Sequence, residues 1–291
     1  MQAEAHAAKK AEVKAREVKE GFFLVETRLN ENEIVLERTS KIEKRVLTYN
    51  KSRCVGCYLC EVACPTTAIE AAAIGSIARG VSNAAKLLID TKKCTWCGIC
   101  IETCPFNCYD LAINGKSIRG DEDYLAFERS FEIIDKSSIK GEEKLKVLTG
   151  IAAKCPRNAL AVDKDKESMA FIEKECIFCQ GCVGNFNGIE VKVKRFIEGS
   201  ITVDNERCQG CGACQIICPT KAPYYPKPTA GGERTEKTKI DEAVCNYCGA
   251  CERVCPVDAI EVKRKAIKYA KKKEAPWTKT WIEAFEKLKK E

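Results

Sequence analysis

Apolar and polar stretches alternate along the chain. Five apolar runs share one plan: each closes on a polar residue and reaches a cysteine a few positions later. They are LTYNKSRC (47–54), LLIDTKKC (87–94), MAFIEKEC (169–176), ITVDNERC (201–208) and TKIDEAVC (238–245). Runs this short, bounded by turn-forming residues, predict strands that deliver the chain into loops. FFLVETRL (22–29) and EIVLERT (33–39) predict two further extended stretches around the turn-like NENE. Residues 1–20, rich in Ala, Lys and Glu, predict a helix, and 66–90 between the first two cysteine motifs reads as helical insertion. The stretch 220–237, TKAPYYPKPTAGGERTEK, reads as a Pro/Gly loop. Near the C-terminus, Trp277, Trp281, Phe285 and Leu288 recur at helical spacing and form one apolar face.

Composition changes this picture at one point. The chain holds 21 cysteines in 291 residues, but one histidine and two methionines. A disulfide framework suits a secreted mini-protein, whereas the N-terminal MQAEAHAAKKAEVK has no apolar signal core. No apolar run is long enough to span a membrane, so a cytoplasmic protein is expected. Structural zinc uses paired cysteines or Cys/His mixtures, and His6 stands alone, away from every cysteine.

Here the cysteines come as C-x2-C-x2-C triplets, and four triplets close with x3-Cys-Pro: CVGCYLCEVACP (54–65), CTWCGICIETCP (94–105), CQGCGACQIICP (208–219) and CNYCGACERVCP (245–256). That is the ligand spacing of a four-iron cluster. The remaining triplet, Cys176, Cys179 and Cys182, has Phe186 and Asn187 in the closing positions, and one Cys-Pro without a triplet occurs upstream at Cys155. The net charge of +7 counts every thiol as neutral. Each four-iron cluster with its thiolates contributes about −2, so the basic surplus reads as internal compensation and not as a nucleic-acid face.

This pattern resembles the two-cluster bacterial-type ferredoxins over residues 46–263, and the chain as a whole resembles the polyferredoxins of anaerobic archaea. The resemblance implies an α+β fold of three tandem two-cluster modules, the middle one degenerate, with helical N- and C-terminal extensions. The implied boundaries are 1–45 for the N-terminal extension, 46–115, 116–198 and 199–263 for the modules, and 264–291 for the tail. In that family the last cysteine of each motif serves the cluster of the other motif. Carried over, the sites are Cys54, Cys57, Cys60 with Cys104; Cys94, Cys97, Cys100 with Cys64; Cys208, Cys211, Cys214 with Cys255; and Cys245, Cys248, Cys251 with Cys218. In the middle module Cys155 completes the site of Cys176, Cys179 and Cys182, which makes five [4Fe-4S] clusters.

A sixth site lacks all its cysteines. Counting back from Cys155 puts Leu145, Leu148 and Ile151 in the triplet positions, with Phe186 in the closing one, whereas counting forward from FEIID reaches Ile139. Either way the vacated volume is expected to be apolar core, because an open cavity of that size is costly. Cys108 remains, four residues after Cys104, where the other motifs have Ala68, Ala159, Ala222 and Ala259. It reads as a buried alanine substitute, against a ligand swap or a reactive thiol. Gly56, Gly98, Gly181, Gly210, Gly212 and Gly249 beside the ligands suit tight turns whose amides approach the sulfurs.

No phosphate-binding glycine loop and no histidine-based triad is visible, so the chain is expected to carry electrons and not to be an enzyme. The resemblance implies partners: catalytic and other electron-transfer subunits of a multi-subunit oxidoreductase, of the formylmethanofuran dehydrogenase type used in carbon dioxide reduction and methanogenesis. A hydrogenase or heterodisulfide reductase complex is the alternative, and a redox sensor that contacts nucleic acid is a reading from another class. The N-terminal segment reads equally as a docking arm or a solvated extension. The C-terminal face of Trp277, Trp281 and Phe285 must be buried against either the chain's own modules or another subunit, and it reads as a docking face for another subunit, since a late tail has little core left to join.

Overall fold

The computed structural model describes residues 16–20, 23–72, 85–119, 121, 124, 130–228, 232, 236–269 and 278–290. The first part contains β1 (Arg16–Glu20), β2 (Phe23–Leu29), β3 (Glu33–Thr39), β4 (Lys44–Asn50), α1 (Leu59–Ala63), β5 (Ile69–Ala71), β6 (Leu87–Ile89), α2 (Ile99–Thr103), β7 (Tyr109–Ile113) and β8 (Lys116–Ser117). The middle part has β9 (Phe131–Asp135), α3 (Gly141–Ala152), β10 (Leu160–Asp163), β11 (Ser168–Phe171), a 3-10 turn at Glu173–Glu175, β12 (Gly184–Phe186) and β13 (Ile189–Val193). The last part has β14 (Ile197–Val203), α4 (Ala213–Ile217), β15 (Pro223–Tyr224), β16 (Lys239–Ile240), α5 (Ala250–Val254), β17 (Ile260–Ile267) and α6 (Thr278–Glu286).

Six antiparallel strands, in the order β1-β2-β3-β4-β7-β8, make the largest sheet. Alternation in β2, β3, β4 and β7 brings Val25, Leu36, Leu47 and Leu111 into the core, with Leu36 paired to Leu47 and Leu47 to Leu111 across the strands. The helix expected over 1–20 is corrected at its end: Arg16–Glu20 is a strand paired to β2, and the rest of that segment lies outside the described residues. Available edge hydrogen bonds override helix propensity there. The helical reading of 66–90 is likewise corrected at both ends, where β5 and β6 pair; 73–84 lies outside the described residues.

α1, α2, α4 and α5 are single turns of five residues, each ending on the cysteine of a Cys-Pro pair in extended conformation. One turn is too short to be stable alone, and proline forces the residue before it out of helical geometry. α3 differs. It runs for 12 residues to Ala152, ahead of Cys155, and buries Leu148 and Ile151. Thus the apolar residues expected in place of a sixth triplet form a helix that joins the core.

The tail corrects a second expectation. Trp281, Phe285 and Leu288 on and just after α6 are fully buried within the chain's own core, and Ala284 is 1% exposed. Trp281 meets Tyr124 at 5.8 Å and Phe285 edge-on at 6.0 Å, and Phe285 packs on Tyr269 at 5.4 Å. The segment is latched by Arg264 of β17, whose guanidinium donates to Leu288 O at 2.7 Å and whose backbone bridges to Lys290. α6 also touches α1 and α2, so it seals the seam between the first and last parts. The apolar stripe is therefore spent internally and is no docking face; Trp277 lies outside the described residues.

Candidate iron–sulfur cluster sites

Five strand pairings organise the cysteines. Tyr49, five residues before Cys54, pairs with Tyr109, five residues after Cys104. The same offsets pair Ile89 with Ile69, Phe171 with Leu160, Val203 with Ile260 and Ile240 with Pro223. Each pair joins the lead-in of one triplet to the strand that follows one Cys-Pro. The strands flanking Cys54 and Cys104, Cys94 and Cys64, Cys176 and Cys155, Cys208 and Cys255, and Cys245 and Cys218 therefore lie side by side.

The loop backbone repeats as well. The second and fourth residues after each leading cysteine are left-handed: Gly56 and Tyr58, Trp96 and Gly98, Phe178 and Gln180, Gly210 and Gly212, Tyr247 and Gly249. So is the third residue after each Cys-Pro cysteine: Thr67, Asn107, Asn158, Lys221 and Asp258. A side chain costs about 1 kcal/mol or more in that region, so its recurrence needs a return. The return is sulfur hydrogen bonding. Backbone N–H groups of Gly56, Phe178, Gly210 and Tyr247 donate to the leading cysteines at 3.3–3.4 Å. Those of Ala68, Cys108, Ala159 and Ala259 donate to the Cys-Pro sulfurs at 3.2–3.4 Å. Gly181 has no positive φ; the left-handed residue there is Gln180, and a Cβ at 181 would meet Lys154 O at 3.2 Å.

Burial and charge support the same groupings. Cys64 lines one apolar cavity with Cys94, Cys97 and Cys100, and Cys218 lines another with Cys245, Cys248 and Cys251. Burial, followed by neighbouring thiols, pushes Cys94 and Cys245 up to about 11 and Cys248 to about 12. Cys57, Cys60, Cys100 and Cys251 lie well above the usual range for the same first cause. In the middle site burial raises Cys176 to about 12 and Cys182 to about 11, and Cys155 contributes to both, and to Cys179, through its charge. Buried thiols that oppose one another's ionisation become stable thiolates only around concentrated positive charge, which iron supplies. Among the described residues no three His, Cys, Asp or Glu side chains could hold a single metal ion.

The first site has features the motif does not foretell. Cys108 fills the small buried slot as a free thiol, and its side chain hydrogen-bonds Cys54 and Cys104. That bond is the main reason Cys54 is held below the usual thiol range. Tyr109 Oη lies 3.4 Å from Cys60 Sγ. Tyr49 Oη beside Cys54 is fully buried with no satisfying partner, as expected where a further acceptor belongs. Comparing repeat positions could have found both tyrosines, since the equivalent residues elsewhere are Ile, Phe, Val, Leu or Pro.

Chain order is not the spatial order. Cys57 of the first site acts electrostatically on Cys248 of the last, and the buried Arg264 acts on both. Phe106, just after the first site, lines the cavity of Cys245, Cys248 and Cys251, and the Arg253 guanidinium lies 4.9 Å from the Tyr58 ring centroid. The middle loop is held from both sides: Asn107 donates to Cys176 O at 3.1 Å and Asn246 to Ile177 O at 2.6 Å. In the closing position that lacks cysteine, Phe186 lies under Lys154 Nζ at 4.2 Å.

The 4Fe-4S dicluster domain family matches residues 53–108 and 207–259. Polyferredoxin protein FwdF of Methanocaldococcus jannaschii is 52% identical over 103 residues, which are 35% of this chain and 29% of that protein. One subunit of an ion-translocating oxidoreductase complex of Methanosarcina acetivorans is 38% identical over 60 residues, 21% of this chain and 22% of that protein. The chain thus matches less than a third of the length of either relative. A chain in the formate dehydrogenase–heterodisulfide reductase–formylmethanofuran dehydrogenase complex of Methanospirillum hungatei aligns with a TM-score of 0.72 at 25% identity, covering 94% of this chain and 91% of that one. No helix among the described residues is long and apolar enough to cross a membrane. With two 4Fe-4S dicluster domains and this likeness to FwdF, the chain is a polyferredoxin-like iron–sulfur protein.

Proposed function

We propose that the chain binds five [4Fe-4S] clusters through the five cysteine quartets and conducts electrons to or from a catalytic subunit of a methanogenic oxidoreductase. The observation that carries this reading is the fivefold pairing of triplet lead-ins with Cys-Pro strands, which treats the middle quartet like the other four. Each cluster would supply a one-electron couple; the protein fixes its position, surrounds it with amide donors and limits water. The middle part is then a two-cluster module whose first site has been replaced by α3.

The packing of Phe106 against the cavity of Cys245, Cys248 and Cys251 and of Arg253 on Tyr58, together with the electrostatic coupling of Cys57 and Cys248, favours a route that passes straight from the first module to the last, with the middle cluster to one side. The exposed Cys211 favours the fourth site as a point of exchange with a partner. Catalysis belongs to that partner. The likeness to FwdF and to a chain of the M. hungatei complex favours formylmethanofuran dehydrogenase, with heterodisulfide reductase as the second candidate. Anaerobic iron analysis is the test: about twenty irons per chain are expected at four per site. Fewer than about sixteen in intact protein would overturn the ligand scheme. Co-purification with a molybdopterin-type subunit tests the partner.

A further inference from the structure

We propose that Tyr49, Tyr109 and Cys108 set the first site, Cys54, Cys57, Cys60 and Cys104, as the most positive of the five, so that the first electron to enter the chain rests there. This rests on the proposed cluster binding and concerns what the surrounding residues do to one cluster.

The argument comes from the repeat. At three equivalent positions, five before the triplet and four and five after the Cys-Pro cysteine, the other sites carry Ile89, Ala68, Ile69; Phe171, Ala159, Leu160; Val203, Ala259, Ile260; and Ile240, Ala222, Pro223. None of those side chains can donate a hydrogen bond. The first site has two hydroxyls and a thiol there. All three residues are buried, Tyr49 at 0% and Tyr109 and Cys108 at 3% exposure. The tyrosine rings stack at 5.0 Å, as cross-strand partners, so one pair of strands aims both hydroxyls at the site. Tyr109 reaches Cys60 Sγ at 3.4 Å, and the unsatisfied Tyr49 hydroxyl lies beside Cys54. A buried lysine adds to them: Lys86, 2% exposed, donates to Lys51 O at 2.9 Å and acts electrostatically on Cys54 and Cys108.

Reduction adds one electron to the cluster and no bond breaks, so the sulfurs become more negative. Donors to those sulfurs stabilise the reduced state more than the oxidised one and raise the potential. Elsewhere the hydroxyl contacts come from residues outside the paired strand columns: Thr66 at 3.8 Å from Cys64 Sγ and the exposed Thr95 beside Cys97 at the second site, and Thr220 at 3.3 Å from Cys218 Sγ, whereas the buried Thr238 accepts from Cys208 Sγ at 3.7 Å.

The test is an anaerobic redox titration of the cluster-loaded chain, followed by low-temperature electron paramagnetic resonance, for wild type, Tyr109→Phe, Tyr49→Phe and Cys108→Ala. Iron is measured on every sample. The most positive of the reduction steps should move negative in each variant, by up to about tenfold in its one-electron equilibrium constant, or about 59 mV, and the other steps should stay. Cys108→Ala installs the residue found at the other four sites, so it guards against a folding failure of the tyrosine variants. Full iron with no shift in the most positive step, or a shift in a different step, overturns the proposal. Wild-type protein that takes up no clusters overturns the proposed function instead.

Discussion

The burial of α6 makes a quantitative prediction, because it decides between an internal seal and a handle for another subunit. Phe285→Ala removes a fully buried ring from between Tyr269 and Trp281. Such truncations cost about 3–5 kcal/mol. Trp281→Ala removes a larger side chain, yet its indole Nε1 is buried without a partner. Relief of that group returns about 1–3 kcal/mol, so the tryptophan variant should be the milder of the two at about 2–3 kcal/mol. With about 0.6 kcal/mol per kelvin of unfolding entropy for a chain of 291 residues, the expected falls in midpoint are about 5–8 °C for Phe285→Ala and about 3–5 °C for Trp281→Ala. Melting should be followed on the isolated, cluster-loaded chain under anaerobic conditions at one scan rate, because cluster loss makes the transition irreversible. Lys279→Ala, at a side chain 88% exposed, is the control. If both aromatic variants melt within about 1 °C of wild type, as surface changes do, the helix contributes nothing to the core and the internal seal is refuted.

Three further outcomes are expected. Gly199→Ala would place a Cβ 2.1 Å from Lys263 O at the bulge between β14 and β17, where neither backbone can yield. It should cost at least about 1–3 kcal/mol and accelerate amide exchange at Ile201 and Val262; unchanged exchange would contradict the bulge geometry. Cys176→Ser should lower the iron content by about four while electron passage between the outer modules stays within about twofold, and a large fall with the fold intact would put the middle cluster on the main route. Limited ferricyanide oxidation should attack the fourth site first, since Cys211 is the exposed cysteine; protection of Cys211 with loss elsewhere would contradict that.

Local periodicity and ligand spacing made much of this legible. All five lead-ins end as strands, in β4, β6, β11, β14 and β16. Their pairing follows from the motif because the cysteine and strand offsets are the same in every copy. The Ala, Lys and Glu that predict a helix at the N-terminus report intrinsic preference alone, and a strand edge offering hydrogen bonds outweighs it at Arg16–Glu20. The amphipathic tail was readable as a face, but its partner was not, since the Arg264 latch and the seam of α6 with α1 and α2 exist only after folding. The electrostatic coupling of Cys57 and Cys248, far apart in the chain, is of the same kind. Tyr49 and Tyr109 were legible in principle: they are the polar exceptions in two otherwise apolar columns of the repeat.

The three short hairpins β5–β6, β10–β11 and β15–β16 separate two jobs that most loops combine. Their paired ends are held by strand register next to the cysteines, whereas their tips span 72–86, 164–167 and 225–238. Growing a tip nearly fourfold adds only about 1 kcal/mol of closure entropy. Length and chemistry at those tips are therefore free to change with the company the protein keeps, without shifting the cysteine loops. The wiring can stay constant while its sockets are refitted.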